Sequence, residues 1–339
     1  MTEMGDRFSP ARACAHPWVQ TASAVLPWWA PPGAFALPRV DSLRFSVPGA
    51  SARLHGHAWW QRGRGCHRTA LLVHGVGGSA EAPYVVRAAV AAFEAGFHVV
   101  RLDLRGAGAS AQEWSSRYHA GLSSDLTAVC MELGRDERVG PLALFGFSLG
   151  GHLALHVAAD AATSGVGPLR VVVALGAPVE LAPTCAFLSR AAALPFHGFV
   201  VASLVWETRA LAARFPDALP CSTKELFGVR SLWEYDERVI APMHGFRGAR
   251  DYYEQASVAP RLRALGVPTL YLYSRDDPMV PAVAAERAFA RGVSPQLRVE
   301  ATDRGGHLGW IERVGPESFV RSWGVARALA FVGEQLGAG

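Results

Sequence analysis

"LALFGFSLGG", residues 142–151, sets one serine, Ser148, among glycines directly after an apolar run. The run reads as a short buried strand, and the residues that follow, "SLGGHLALHVAADAA", have helical spacing. Glycines two before and two after the serine suit a chain that turns sharply from strand to helix, because a Cβ at Gly146 or Gly150 would collide with the neighbouring strand and helix. Such a turn pushes the serine hydroxyl outward, beside the partly positive amides of a helix N-terminus. Ser148 is then a nucleophile only if a base, an orienting carboxylate and oxyanion donors reach it.

The segments around this stretch alternate in the same way. "LRFSV" and "RLHGHAWW" read as an opening antiparallel pair, followed by buried strands at "TALLVH", "HVVRLD", "LALFGF", "VVVALG", "PTLYLYS" and "QLRVEA". Helical spacing recurs in "PYVVRAAVAAFEAG", "LSSDLTAVCMELGRD", "AVAAERAFARG" and "PESFVRSWGVARALAFVGEQL". Strands alternating with helices predict an α/β fold with a mostly parallel central sheet and helices on both faces. The interval from Leu181 to Pro260 breaks the alternation and is too long for plain loop, so it predicts a small helical cap. The expected organisation is core over 1–182, cap over 183–260 and core again over 261–339.

The partners of Ser148 are sought downstream, in the order acid then histidine. "RDDPMVP" follows one strand and offers Asp276 and Asp277; "TDRGGHLGW" follows the next and offers His307. Both fall at the carboxyl edge of the predicted sheet, where open α/β sheets carry their sites. The oxyanion donors expected for this turn are the backbone amides of Leu149 and of Val76, the latter in the loop "VHGVGGSAEAPY". His74 reads as a brace for that loop, and Asp103 and Arg105 in "RLDLRGAGAS" as structural residues of a packed turn.

Together these residues resemble the α/β-hydrolases, and within them the branch of bacterial YheT-like, plant EMB8-like and mammalian ABHD-type proteins. The resemblance rests on "HPWVQT", "HGVGGSAEAPYV", "YHAGLSSDL", "GFSLGGHLAL", "APMHGFRGARDYYEQAS", "PTLYLYSRDDPMVP" and "GGHLGW". The "HGF…DYY" block is its most specific part, while residues 183–230 match poorly. The resemblance implies an α/β-hydrolase fold and a triad of Ser148, Asp277 and His307, Asp277 being preferred to Asp276 because it lies four residues before Pro281. It implies a serine esterase or lipase-like enzyme that cleaves carboxylic esters, acyl or lipid esters among them, through an acyl-enzyme and without a metal or organic cofactor. Acyl transfer to an alcohol on the same residues is the alternative, and a non-catalytic ligand-binding protein on the same scaffold is the third reading.

Composition narrows the partners. The chain has 339 residues, half of them hydrophobic, a net charge of only +4, and Lys224 as its one lysine. No arginine cluster alternates with aromatics, so nucleic acid is not expected. Five cysteines without metal or disulfide spacing favour a reducing compartment, and the N-terminus lacks the pattern of a secretory signal, so the expectation is a cytoplasmic protein. The apolar segment "AAALPFHGFVVASLVW", residues 191–206, is too short and too interrupted to span a membrane. It reads as cap, with Phe196 and Phe199 as candidate contacts to an acyl chain. The expected partner is a small ester with an apolar acyl chain; peripheral membrane contact is compatible with this reading, as are a monomer and a homodimer.

Overall fold

In a computed structural model, which describes residues 8–11, 14–26, 38–63, 65–190, 193–314 and 319–337, the apolar runs become one eight-stranded sheet in the order β1-β2-β4-β3-β5-β6-β7-β8. The strands are β1 (Asp41–Ser46), β2 (Arg53–Trp59), β3 (His67–Val73), β4 (His98–Asp103), β5 (Val139–Phe147), β6 (Leu169–Leu175), β7 (Thr269–Ser274) and β8 (Leu297–Thr302). β2 runs antiparallel to both β1 and β4, and the pairs from β4 to β8 are parallel. Successive residues of β3 alternate between two cores: Leu71 and Val73 on one face, Ala70 and Leu72 on the other. Burial on both faces is why these strands read as unbroken apolar runs.

One core packs α3 (Ser123–Leu133), α4 (Leu149–Asp160) and α11 (Ala282–Ala290) against the sheet; the other packs α1 (Pro17–Val25), α2 (Pro83–Glu94) and α12 (Trp323–Leu336). α4 is buried from Gly150 to Ala159, which explains the lack of a polar face in its sequence. Between β6 and β7 the chain runs through α5 (Leu181–Leu188), α6 (Leu194–Arg214), α7 (Thr223–Phe227), α8 (Leu232–Tyr235), a π-turn at Asp236–Ile240, α9 (Ala241–Met243) and α10 (Ala249–Ala256). This helical insertion has its own apolar cluster, which Val76 and Leu149 join from the sheet side. It is tied to α4 by His152 and His156, whose Nε2 atoms lie 2.7 and 2.9 Å from the Ala256 carbonyl.

One expected element differs. The helix read from residue 316 begins only at Trp323, because Phe319–Ser322 forms a strand, β10, paired antiparallel with β9 (Ile311–Val314). Apolar residues on either side of a short break fit a hairpin as readily as a helical turn. The pairing with β9 decides between the two.

Candidate active site

Ser148 sits between β5 and α4 with φ +53° and ψ −119°, a left-handed conformation that a non-glycine residue rarely adopts. The strain is held by close packing. A Cβ at Gly146 would lie 2.3 Å from the Gly150 carbonyl oxygen, and one at Gly150 would lie 2.4 Å from that of Val73. The Ser148 amide donates to the Leu175 carbonyl at 2.8 Å, which fixes the turn against the end of β6.

The two downstream candidates meet at the same edge. Asp277 follows β7 and His307 follows β8; both are buried, and His307 Nδ1 lies 2.7 Å from Asp277 Oδ2. Asp277 Oδ1 accepts from the amides of Met279 and Val280 at 2.7 and 2.9 Å, so the carboxylate is held by three hydrogen bonds. Asp276 has a different job. Its Oδ1 accepts from Ser274 Oγ at 2.5 Å and from the Gly306 amide at 2.8 Å, bracing the loop that carries His307. The imidazole also lies against Gly176, the residue after the carbonyl that holds Ser148: a Cβ there would be 3.5 Å from His307 Cε1 and Nδ1. Among the described residues, neither Ser148 Oγ nor His307 Nε2 is engaged in a hydrogen bond.

α1 supplies a support that spacing did not reveal. Thr21 Oγ1 accepts from the His307 amide at 2.9 Å, and Gln20 accepts from the Ile311 amide at 2.7 Å while donating to the Cys14 and Ile311 carbonyls. "HPWVQT" is thus the back wall of the histidine loop. No periodicity or motif rule could have paired residue 20 with residue 311.

The loop after β3 passes close to the serine, since a Cβ on Gly75 would lie 3.0 Å from Ser148 Cβ. Its shape is fixed by side chains beneath it. His74 Nε2 accepts from the Leu104 amide at 3.1 Å, so Nδ1 carries the proton and donates to the Gly75 carbonyl at 2.8 Å. Complete burial lowers the His74 pKa and keeps the ring neutral. Tyr84 and Tyr118 accept from the Gly75 and Gly77 amides at 2.9 and 2.8 Å. Asp103 accepts from the amides of Ala80 and Ala109; burial raises its pKa, but these bonds and that of His57 outweigh the effect and hold it low. Arg105 pairs with Asp125 at 2.7 and 3.0 Å.

Above the serine lies a cleft enclosing about 750 Å³ of empty space, its open mouth included. Ser148, Val76 and Leu149 line its floor, and Leu181, Leu188 and Leu204 of the helical insertion line its walls. Phe196 and Phe199, the candidate acyl contacts, lie outside this lining. Phe199 is 63% exposed, and Phe196 stacks edge-on against Trp18 with ring centroids 5.8 Å apart. α6 turns Leu204 inward and leaves Phe199 outward, so apolar content alone did not say which face meets the cleft. Among the described residues, no helix is long and apolar enough to cross a membrane, and no group of three or more His, Cys, Asp or Glu is placed to hold a metal ion.

The fold and the strand-to-helix serine turn define a class, and comparison with known proteins agrees with it. The model of the alpha/beta hydrolase fold matches residues 70–314, and the chain belongs to that family. It is 28% identical over 246 residues to the candidate esterase YheT of Escherichia coli (strain K12), covering 72% of this chain and 71% of that one. It is 25% identical over 249 residues to the mouse (Mus musculus) phospholipase ABHD3, covering 73% of this chain but only 59% of the phospholipase. Among solved structures, the Pyrococcus furiosus esterase Pf2001 superposes with a TM-score of 0.55 at 18% identity, over 89% of this chain and 92% of the other.

Proposed function

We propose that the protein is a serine hydrolase of carboxylic esters, with Ser148, His307 and Asp277 as its triad and the segment 183–260 as the cap of its substrate cleft. The observation that carries this reading is the buried 2.7 Å hydrogen bond between His307 Nδ1 and Asp277 Oδ2, placed beside the turn that presents Ser148 to an apolar cleft. The names of the related esterases and lipases support the same class of substrate.

In this mechanism His307 Nε2 takes the proton of Ser148 as Oγ bonds to the ester carbonyl carbon. Asp277 holds the imidazole in the tautomer with Nδ1 protonated, and its charge stabilises the imidazolium that forms. The oxyanion is received by the amides of Leu149 and Val76. Leu149 is the first residue of α4, so its amide has no carbonyl four residues back within the helix and is free to serve an anion. The carbonyl reforms as the C–O bond to the alcohol breaks, and the alcohol leaves with the proton from His307. Water, deprotonated by the same imidazole, then releases the acid from Ser148. The apolar walls favour an acyl chain over a charged one.

The test is turnover of 4-nitrophenyl acyl esters of increasing chain length, with and without added alcohol. Hydrolysis that Ser148→Ala abolishes supports the reading. Products dominated by the transferred ester in the presence of alcohol would replace it with acyl transfer, and no turnover of any chain length would remove it.

A further inference from the structure

The walls of the cleft are not apolar throughout. Asp236 opens the π-turn between α8 and α9, is only 6% exposed and lines the same cavity as Ser148. Its Oδ2 accepts from the Tyr253 hydroxyl at 2.5 Å. Its Oδ1 has no hydrogen-bond partner among the described residues, and the residue that carries it lines the cavity. A buried carboxylate that merely holds the fold would have both oxygens satisfied, since an unmet buried acceptor is costly. Single π-turns also recur at functional sites.

The rest of the polar lining indicates what would meet that oxygen. Tyr118 and Tyr252 both face the cleft, and each phenol oxygen already accepts a backbone amide, from Gly77 at 2.8 Å and from Ala120 at 2.9 Å. Each can still donate its own proton, and no acceptor for either takes it among the described residues. Arg117 lies in the same lining with its charge already met by Glu207, so it offers no free cation to an anionic group. An open acceptor together with two spare donors matches a neutral hydroxyl, which gives one hydrogen bond and takes another. Burial moves Asp236 up to about 7, against the pull of the Tyr253 hydrogen bond, and a hydroxyl can meet either protonation state.

We propose that Asp236 is a specificity-determining residue that receives a free hydroxyl on the substrate, so that the preferred esters are those of a polyol or of a hydroxy acid. This rests on the ester-hydrolase reading above and extends it from the apolar chain to a polar group on the same molecule.

The experiment compares kcat/KM within matched pairs on a single preparation, so that the ratio is independent of the fraction folded. One pair is 4-nitrophenyl octanoate and its 8-hydroxy analogue, with the hydroxyl on the acyl side; the other is propyl octanoate and 1-octanoylglycerol, with hydroxyls on the alcohol side. The wild type is expected to favour the hydroxylated member of one pair by roughly tenfold or more. Asp236→Leu is expected to bring that ratio close to one, and Asp236→Asn, whose amide can still meet a hydroxyl, to restore part of it. Which pair responds says which side of the ester carries the group. Equal ratios in wild type and Asp236→Leu for both pairs would overturn the inference while leaving the hydrolase reading intact. No turnover of any of the four esters would overturn both.

Discussion

At the sheet edge, Ser148, Asp277 and His307 each stand within a few residues of a strand end, and short backbone hydrogen bonds hold the loops that carry them. In the helical insertion, Asp236, Tyr252 and Tyr253 come from two helical segments, and they share a cavity lining with Tyr118 of the core, beside which Tyr252 accepts from the Ala120 amide. The first region rests on glycines and turns at strand ends, with one long-range tie from α1 to the His307 loop. The second is specified by how helices happen to lie on one another. The chemistry and the selectivity proposed above therefore draw on different elements of the chain.

The largest effect expected from breaking this contrast is at the two neighbouring acids. Asp277→Asn takes the acceptor from His307 and should lower kcat by roughly a thousandfold or more, as loss of the orienting carboxylate does in such triads. Asp276→Asn loosens the histidine loop without touching the ring, and its effect on kcat should stay within roughly tenfold. Equal losses at both positions would mean that the loop as a whole, and not the Asp277 contact, orients the imidazole.

A smaller effect is expected on the insertion side, read as stability. Asp236 is held neutral by burial up to about pH 7, while in the unfolded chain it ionises in the ordinary carboxylate range. A raised folded pKa contributes stability that is complete below the unfolded value and is lost as pH rises through the folded one, so wild-type stability should fall between about pH 4 and pH 7 relative to Asp236→Asn. The difference should reach at most ~4 kcal/mol at the upper end. The groups facing Asp236 are Tyr253, Tyr252, Tyr235 and Cys185, with phenol and thiol pKa values raised by burial, so none of them titrates in that window. Thermal melts of both proteins from pH 4 to 8 check this; a constant difference would mean that Asp236 is ionised throughout.

The smallest effect belongs to the outward face of α6. Phe199→Asp should change KM for long and short acyl esters alike, because its side chain lies outside the cleft, whereas Leu204→Ala should raise KM more for the long chain. A chain-length dependence at Phe199 would place that face in the path of the substrate.

The same division explains what could be read from residues alone. The strand runs, the serine turn and the brace role of His74 follow from patterns a few residues long, and the structure places each of them as those patterns require; the same kind of pattern pointed to Asp277 and His307, which the structure brings within hydrogen-bond distance. "HPWVQT" and "HGF…DYY" stood out as resemblance without a stated task. The first packs behind the His307 loop, and the second supplies Tyr253 to Asp236, Tyr252 to the Ala120 amide and His244 to the Arg117 carbonyl. Three of these four contacts join residues more than a hundred positions apart, and no local rule reaches that far. Phe199 was misplaced for the related reason that apolar residues on all sides of α6 conceal which face is inward.

The most direct measurement is the intact mass of the protein after exposure to a fluorophosphonate, for wild type and Ser148→Ala. A single adduct on the wild type that is absent from the variant is expected if His307 and Asp277 activate Ser148 within an accessible cleft. An unmodified, folded wild type, or an adduct that persists in Ser148→Ala, would contradict the assignment of Ser148 as the nucleophile.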